Sequence, residues 1–155
     1  MPLFPSPHSA TRESTTQQQA TVRRLQIFVL FNGPDTTANA LRAAASFAAD
    51  LGGEILIAAP LIVPYPLPLH CPATSKRAFL AQIGRSISES GIRREAVHKL
   101  LIAYTRDPRD AWHTLLPPGC IVVIGERHRL APLQHWKTFL SAKHLRSLGH
   151  EVVVA

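Results

Sequence analysis

The hydrophobic pattern of the chain alternates between two periods. Leu25 to Phe31 (Leu-Gln-Ile-Phe-Val-Leu-Phe) is almost uninterruptedly apolar and β-prone. That composition predicts a strand buried on both faces. Glu54 to Ala59, with room to run on to Val63, and Cys120 to Ile124 read the same way. Val97 to Tyr104 is less apolar at its start, as an edge strand would be, and Glu151 to Ala155 is a short last strand. Between these runs the apolar positions fall at helical spacing. Leu41, Ala44, Ala45, Ala48 and Leu51 form one stripe, and Phe79, Leu80, Ile83 and Ile87 a second. Ala111, Trp112 and Leu115 form a third, and Leu133, Trp136, Leu140 and His144 a fourth. The punctuation agrees. Asn32-Gly33-Pro34 breaks the first strand, Asp35 or Thr36 caps the first helix, and Gly52-Gly53 ends it. Thr74 or Ser75 caps the second helix, which Gly91 closes. Asp107-Pro108 opens the third and Pro117-Pro118-Gly119 ends it. Pro132 takes the first helical position of the fourth, which Gly149 stops.

The predicted order is β-α-β-α-β-α-β-α-β. Strict alternation with fully apolar strands implies a parallel sheet covered by helices on both faces, a three-layer α/β/α sandwich. Ligands of such sheets sit beyond the carboxyl ends of the strands, where the strand order reverses. Two segments stand outside the pattern. Residues 1–23 are rich in Ser, Thr, Gln and Pro and are expected to be a disordered tail, leaving 24–155 as one domain. Pro60 to Pro72 holds five prolines. It reads as a surface crossover, or as a semi-rigid lid or partner-docking strip.

Composition narrows the setting. The 155 residues carry a formal net charge of +7, and residues 125–150 alone contribute +4. This raises the prospect of an anionic partner, or else marks solvated helix and loop faces. No stretch is long and apolar enough for a membrane span, because prolines interrupt Ile55 to Leu69, and residues 1–24 lack the apolar centre of a signal peptide. Two cysteines, Cys71 and Cys120, show no metal-ligand spacing and make no disulfide framework. A reducing, cytoplasmic location is the simplest expectation.

No catalytic set and no metal site emerge. Asp107, Asp110 and His113 are candidates for acid/base work, but no Ser or Cys nucleophile is tied to them, and Asp107 fits a helix cap. His135 and His144 lie two and a half helical turns apart and face opposite sides. His70 and Cys71 are only two ligands. Trp136 sits at core spacing with Leu133 and Leu140. The stretch with most promise is the exit of the fourth strand, Gly125 followed by Arg127, His128 and Arg129, together with Asn32 and Gly33 at the exit of the first. A strand that ends in glycine and feeds a helix leaves backbone N–H groups for a small anion, and the cationic side chains can grip one. A nucleic-acid role would rest on charge alone, without aromatic interleaving or a helix-turn-helix.

The chain from 24 to 155 resembles the universal stress protein (UspA-like) family. The resemblance rests on the element order, the strand ending Phe31-Asn32-Gly33, the segment Pro-Gly-Cys-Ile-Val-Val-Ile-Gly at 118–125, and the terminal Glu-Val-Val-Val-Ala. It implies a five-stranded parallel sheet in the order 3-2-1-4-5 with a crevice between strands one and four. Many members bind ATP through Gly-x-x-Gly, nine residues, then Gly-Ser or Gly-Thr. Gly125 fits the first glycine, but His128 stands at the second, Thr138-Phe139 at the last pair, and Asn32 at the usual Asp. A ring at the second glycine fills space that phosphate would take, which argues against ATP. The expectation is therefore a non-catalytic stress-response binding and dimerisation protein that requires no cofactor and has a degenerate nucleotide pocket. A nucleotide-binding protein with weak or no ATPase activity is the alternative, and a basic anion- or nucleic-acid-binding module a third. The resemblance also implies a homodimer paired through Glu151, Val152, Val153 and Val154.

Overall fold

The computed structural model describes residues 24–70, 73–126 and 132–155, without the side chains of 73–75, 132–137 and 139. The described residues form β1 (Gln26–Leu30), α1 (Pro34–Leu51), β2 (Glu54–Ile62), α2 (Ala73–Ser90), a 3-10 turn (Arg94–Ala96), β3 (Val97–Thr105), α3 (Pro108–Leu115), β4 (Ile121–Ile124), α4 (Pro132–Ser147) and β5 (Glu151–Val154). The strands make one parallel sheet in the order β3-β2-β1-β4-β5. The expected alternation, layers and strand order are all present. The predicted tail, 1–23, lies outside the described residues, as do Cys71 and Pro72.

Successive side chains of each strand turn to opposite faces. Phe28, Leu30, Leu56, Ala58, Val122 and Ile124 face α3 and α4, where Ala111, Trp112, Leu115, Ala142 and Leu145 meet them. Ile27, Val29, Ile55, Ile57, Ala59 and Val123 face α1 and α2, against Ala40, Leu41, Ala44 and Ile83. Burying each Leu, Ile, Val or Phe of these layers stabilises the fold by about 1.5–3 kcal/mol. The three inner strands are buried on both sides. β3 is half-buried along most of its length and β5 only in part, as edge strands must be.

Four local expectations change. α1 is not capped by Asp35 or Thr36. Its N-cap is Gly33, at φ 130°, with Pro34 next at the start of the helix. The Thr36 hydroxyl donates instead to Asn32 Oδ1 and the Gly33 carbonyl. Leu51 and Leu80 leave their predicted stripes for solvent. In α4, Leu140 is exposed, and Ala142 and Leu145 take the buried face. Apolar residues lie all round this helix, so spacing alone cannot select the face. Finally, Pro60, which the sequence left open to strand or crossover, belongs to β2, for a reason that bears on the site.

Candidate functional site

β1 lies between β2 and β4, and the chain leaves β1 toward one face of the sheet and β4 toward the other. The exits of β1 and β4 are bound to each other. Asn32 Nδ2 donates to the Gly125 carbonyl at 3.1 Å, and Asn32 Oδ1 accepts the Thr36 hydroxyl at 2.6 Å. Gly125 lies against the first turns of α1. A Cβ built on it would stand 1.6 Å from the Thr36 carbonyl oxygen, so only glycine lets α1 pack this close to β4. The Glu126 N–H donates to the Ala155 carbonyl at 2.6 Å, and Asn39 Nδ2 donates to the Glu126 carbonyl at 3.1 Å. The Gly125–Glu126 peptide and the Glu126 carbonyl are thus held by the protein itself.

Above these exits lies a crevice of about 530 Å³. Its floor is Leu30, Phe31 and Ile124 at the strand ends. Phe79 of α2 closes one side, edge-on to Phe31 with ring centroids 5.0 Å apart. Trp112 and Pro108 of α3 close the other, with Ser141 of α4. Pro60, Leu61 and Ile62 form the wall contributed by β2, and Asn32 and Gly33 the polar corner.

Pro60 explains why the crevice opens there. The Phe31 N–H donates to the Ala58 carbonyl at 2.9 Å. In a parallel ladder the next rung would run from the N–H of residue 60 to the Phe31 carbonyl. Proline has no N–H, so the β1–β2 ladder stops and β2 continues beside β3 alone, up to the Ile62–Thr105 pair. The Phe31 carbonyl is left without the donor that rung would have supplied.

The segment after β2 is fastened by Arg106 at the end of β3. Its guanidinium donates to the Val63 and Leu67 carbonyls and lies 4.1 Å from the centre of the Tyr65 ring. Tyr65, Leu67 and Leu69 are exposed. Leu69 and His70 border a second hollow of about 600 Å³ beside β3 and α3.

The remaining chemistry is structural. Asp107 caps α3 by accepting the Arg109 N–H at 2.9 Å. That bond holds its carboxyl below the usual carboxylate range. Asp110 and His113 are exposed on α3. Cys120 Sγ lies 3.4 Å from His150 Nδ1. Burial pushes the thiol up to about 11, so it stays protonated and is a poor nucleophile at neutral pH. Burial, with His113 as a smaller cause, pushes His150 down. Among the described residues no three His, Cys, Asp or Glu side chains converge on a metal position, and no helix is long and apolar enough to cross a membrane.

Neither a family model nor a curated protein sequence matches the chain. Solved structures do. A protein of the universal stress protein family from Burkholderia pseudomallei superposes with a TM-score of 0.53 at 19% identity, over 84% of this chain and 94% of that one. A universal stress protein from Archaeoglobus fulgidus superposes with a TM-score of 0.50 at 15% identity, over 84% and 92%. A universal stress protein in complex with cAMP gives 0.49 at 16% identity, over 84% and 95%. The chain has the universal stress protein fold. Within that fold, Asn32, Gly33 and Gly125 stand together at the β1 and β4 exits, while Arg127, His128 and Arg129 lie outside the described residues. Glu151 to Val154 form the edge strand next to β4. The crevice walls contributed by Phe79, Trp112, Pro60 and Ser141 were not legible as a site. At sequence level Phe79 and Trp112 show only core spacing, and the sole signal was Pro60 breaking a β run.

Proposed function

We propose that this protein is a non-catalytic binding protein that holds a nucleotide-sized ligand in the crevice beyond the carboxyl ends of β1, β2 and β4. One observation carries the reading. At the point where strand order reverses, a hollow of about 530 Å³ is walled by the rings of Phe31, Phe79 and Trp112 and edged by Asn32 and Ser141. Flat apolar walls suit a base, and the positive balance of the chain suits an anion approaching it. Non-catalytic describes the side chains at hand: the one described thiol is held protonated, and it packs beside His150 and not in the crevice.

The test is thermal unfolding of the full chain with millimolar adenosine, AMP or ATP. A ligand that binds only the folded state raises the midpoint, by about 2.7 kcal/mol of stability at a hundredfold excess over Kd. An upward shift with no phosphate released from ATP is the expected result. No shift with any of the three overturns the reading. Self-association through β5 is a second reading, favoured by Val154, which is exposed on the sheet edge.

A further inference from the structure

We infer that the outer edge of β3 takes a sixth strand, an extended segment of another protein that is acidic at one end and carries a bulky apolar residue further along. This surface shares no lining residue with the crevice and does not depend on what the crevice holds.

The main chain is open there. The Val63 N–H donates to the Thr105 carbonyl, and the register sets Ala58 beside Leu101, Pro60 beside Ala103 and Ile62 beside Thr105. In a parallel ladder the N–H and C=O of one residue point to the same side, and successive residues alternate. Leu101, Ala103 and Thr105 therefore bond to β2. Leu100, Ile102 and Tyr104 turn their N–H and C=O groups outward, where β3 ends the sheet. Among the described residues nothing bonds to these outward groups.

The edge is also unguarded. Sheet edges are ordinarily blunted by shortness, charge, proline or irregular register. β5, at the other edge, has four residues, and β3 has nine. The irregularity of β3 lies at its start, opposite Ile55 and Leu56, where His98 and Lys99 also stand. Beyond them Leu100 to Tyr104 reads Leu-Leu-Ile-Ala-Tyr, with neither charge nor proline. Such an edge pairs with an extended chain through main-chain bonds, and the side chains beside it choose which chain.

Those side chains define the partner. The hollow of about 600 Å³ flanks this half of the strand, where Ala103 and Ala111 leave room between β3 and α3 and Leu69 forms a border. A residue paired beside Ala103 can lower a ring into it. At the start of the run Glu54 is taken by Arg24 and His98, and Lys99 is exposed with no ion pair among the described residues. An acidic residue in the added strand meets that charge. A second copy fits poorly. Pairing two copies about Ile102 sets Arg106 of each opposite His98, and each copy carries +7.

The test is solvent exchange of backbone amides, read by NMR on the full chain alone and with millimolar peptide. The probes are acetyl-Glu-Glu-Thr-Val-Thr-Phe-Thr-amide and the same residues in reverse order, so that an acidic end meets Lys99 whichever way the added strand runs. In the free protein the Leu100, Ile102 and Tyr104 amides are expected to exchange fast and those of Leu101 and Ala103 slowly. At least one peptide is expected to slow the first three by about tenfold or more and to leave the other two unchanged. Lys99→Glu, at an exposed position, is expected to weaken that peptide by about three- to tenfold and to favour a version with lysines in place of the glutamates, a preference that shrinks in about 0.3 M KCl. Thr114→Trp fills the hollow from α3 and is expected to weaken the Phe peptide about tenfold, with little effect on a version carrying Ala instead. Slow exchange of the three amides in the free chain at every concentration shows an edge already covered and overturns the inference. Slow exchange that grows with protein concentration makes the occupant a second copy and overturns it too. So do amides that stay fast with both peptides, and protection that neither substitution changes.

Discussion

Gly125 carries a packing requirement beside the role that its place in the sequence suggests. In sequence it stands where a phosphate loop begins. In the fold, its missing side chain is space occupied by the backbone of Thr36. Gly125→Ala should therefore cost about 3 kcal/mol or more in the absence of any ligand, as overpacking against main chain does. Gly84, inside α2 with nothing within 4 Å of a built Cβ, is the matched control. Gly84→Ala should stabilise by up to about 1 kcal/mol, because it adds helix propensity in open space. Urea unfolding of the two variants should move in opposite directions. A loss of ligand binding in a Gly125 variant consequently reports on the fold, and the crevice is better probed through Phe79 or Pro60.

His150 gives the pH dependence at this same scale. Its folded value lies below its ordinary value near 6.5, mainly because burial disfavours the charged ring. Above that ordinary value both states hold a neutral ring. As pH falls through it, the unfolded chain takes up the proton first, so stability declines until the lower folded value is passed. Urea midpoints followed from pH 8 to pH 5 should fall across that window, and His150→Gln should flatten the fall. Such a substitution isolates the His150 contribution.

Among the elements, the strands were the most legible and the helix faces the least. A strand buried on both sides writes itself as a continuous apolar run, as the three inner strands do, and the bounds of all five were legible to within three residues. Helix α4 has apolar residues on every side, so the stripe read through Leu140 missed Leu145, which the sheet buries. The helix-start signal misled at α1, since Gly33 and Pro34 made the turn and released Thr36 to bind Asn32. At β2 the longer of the two expected extents holds, and the strand passes through a proline. Its usual exclusion from inner strands fails at residue 60 because β1 has already ended there. The β5 edge carries the dimer reading. Deleting 151–155 would also remove the Ala155 carbonyl that holds Glu126, so a point change is the sharper probe. Val154→Glu adds a charge to an exposed edge position and should convert a dimer to a monomer on size-exclusion chromatography. A dimer that persists removes the β5 reading.

For the whole molecule, element order alone was enough to imply the layers, the parallel sheet and the end of the sheet where a ligand would sit. The ligand's nature was not legible, because it depends on which helix faces meet above the strands. Phe79 and Trp112 lie in different helices on opposite sides of the sheet and approach one crevice only after folding. A hydrophobic stripe records that a residue turns inward. It does not record whether the inward space is filled.

Arg106 ties these distances together. Through one guanidinium, the last turn of the β3 edge grips the span that continues from the crevice wall at Ile62, stacking under Tyr65 as it does so. The rim and the outer margin of the sheet are therefore mechanically one part. A partner that tugs on that margin would reshape the mouth, and the fluorescence of Tyr65, lying against the cation, would register the pull.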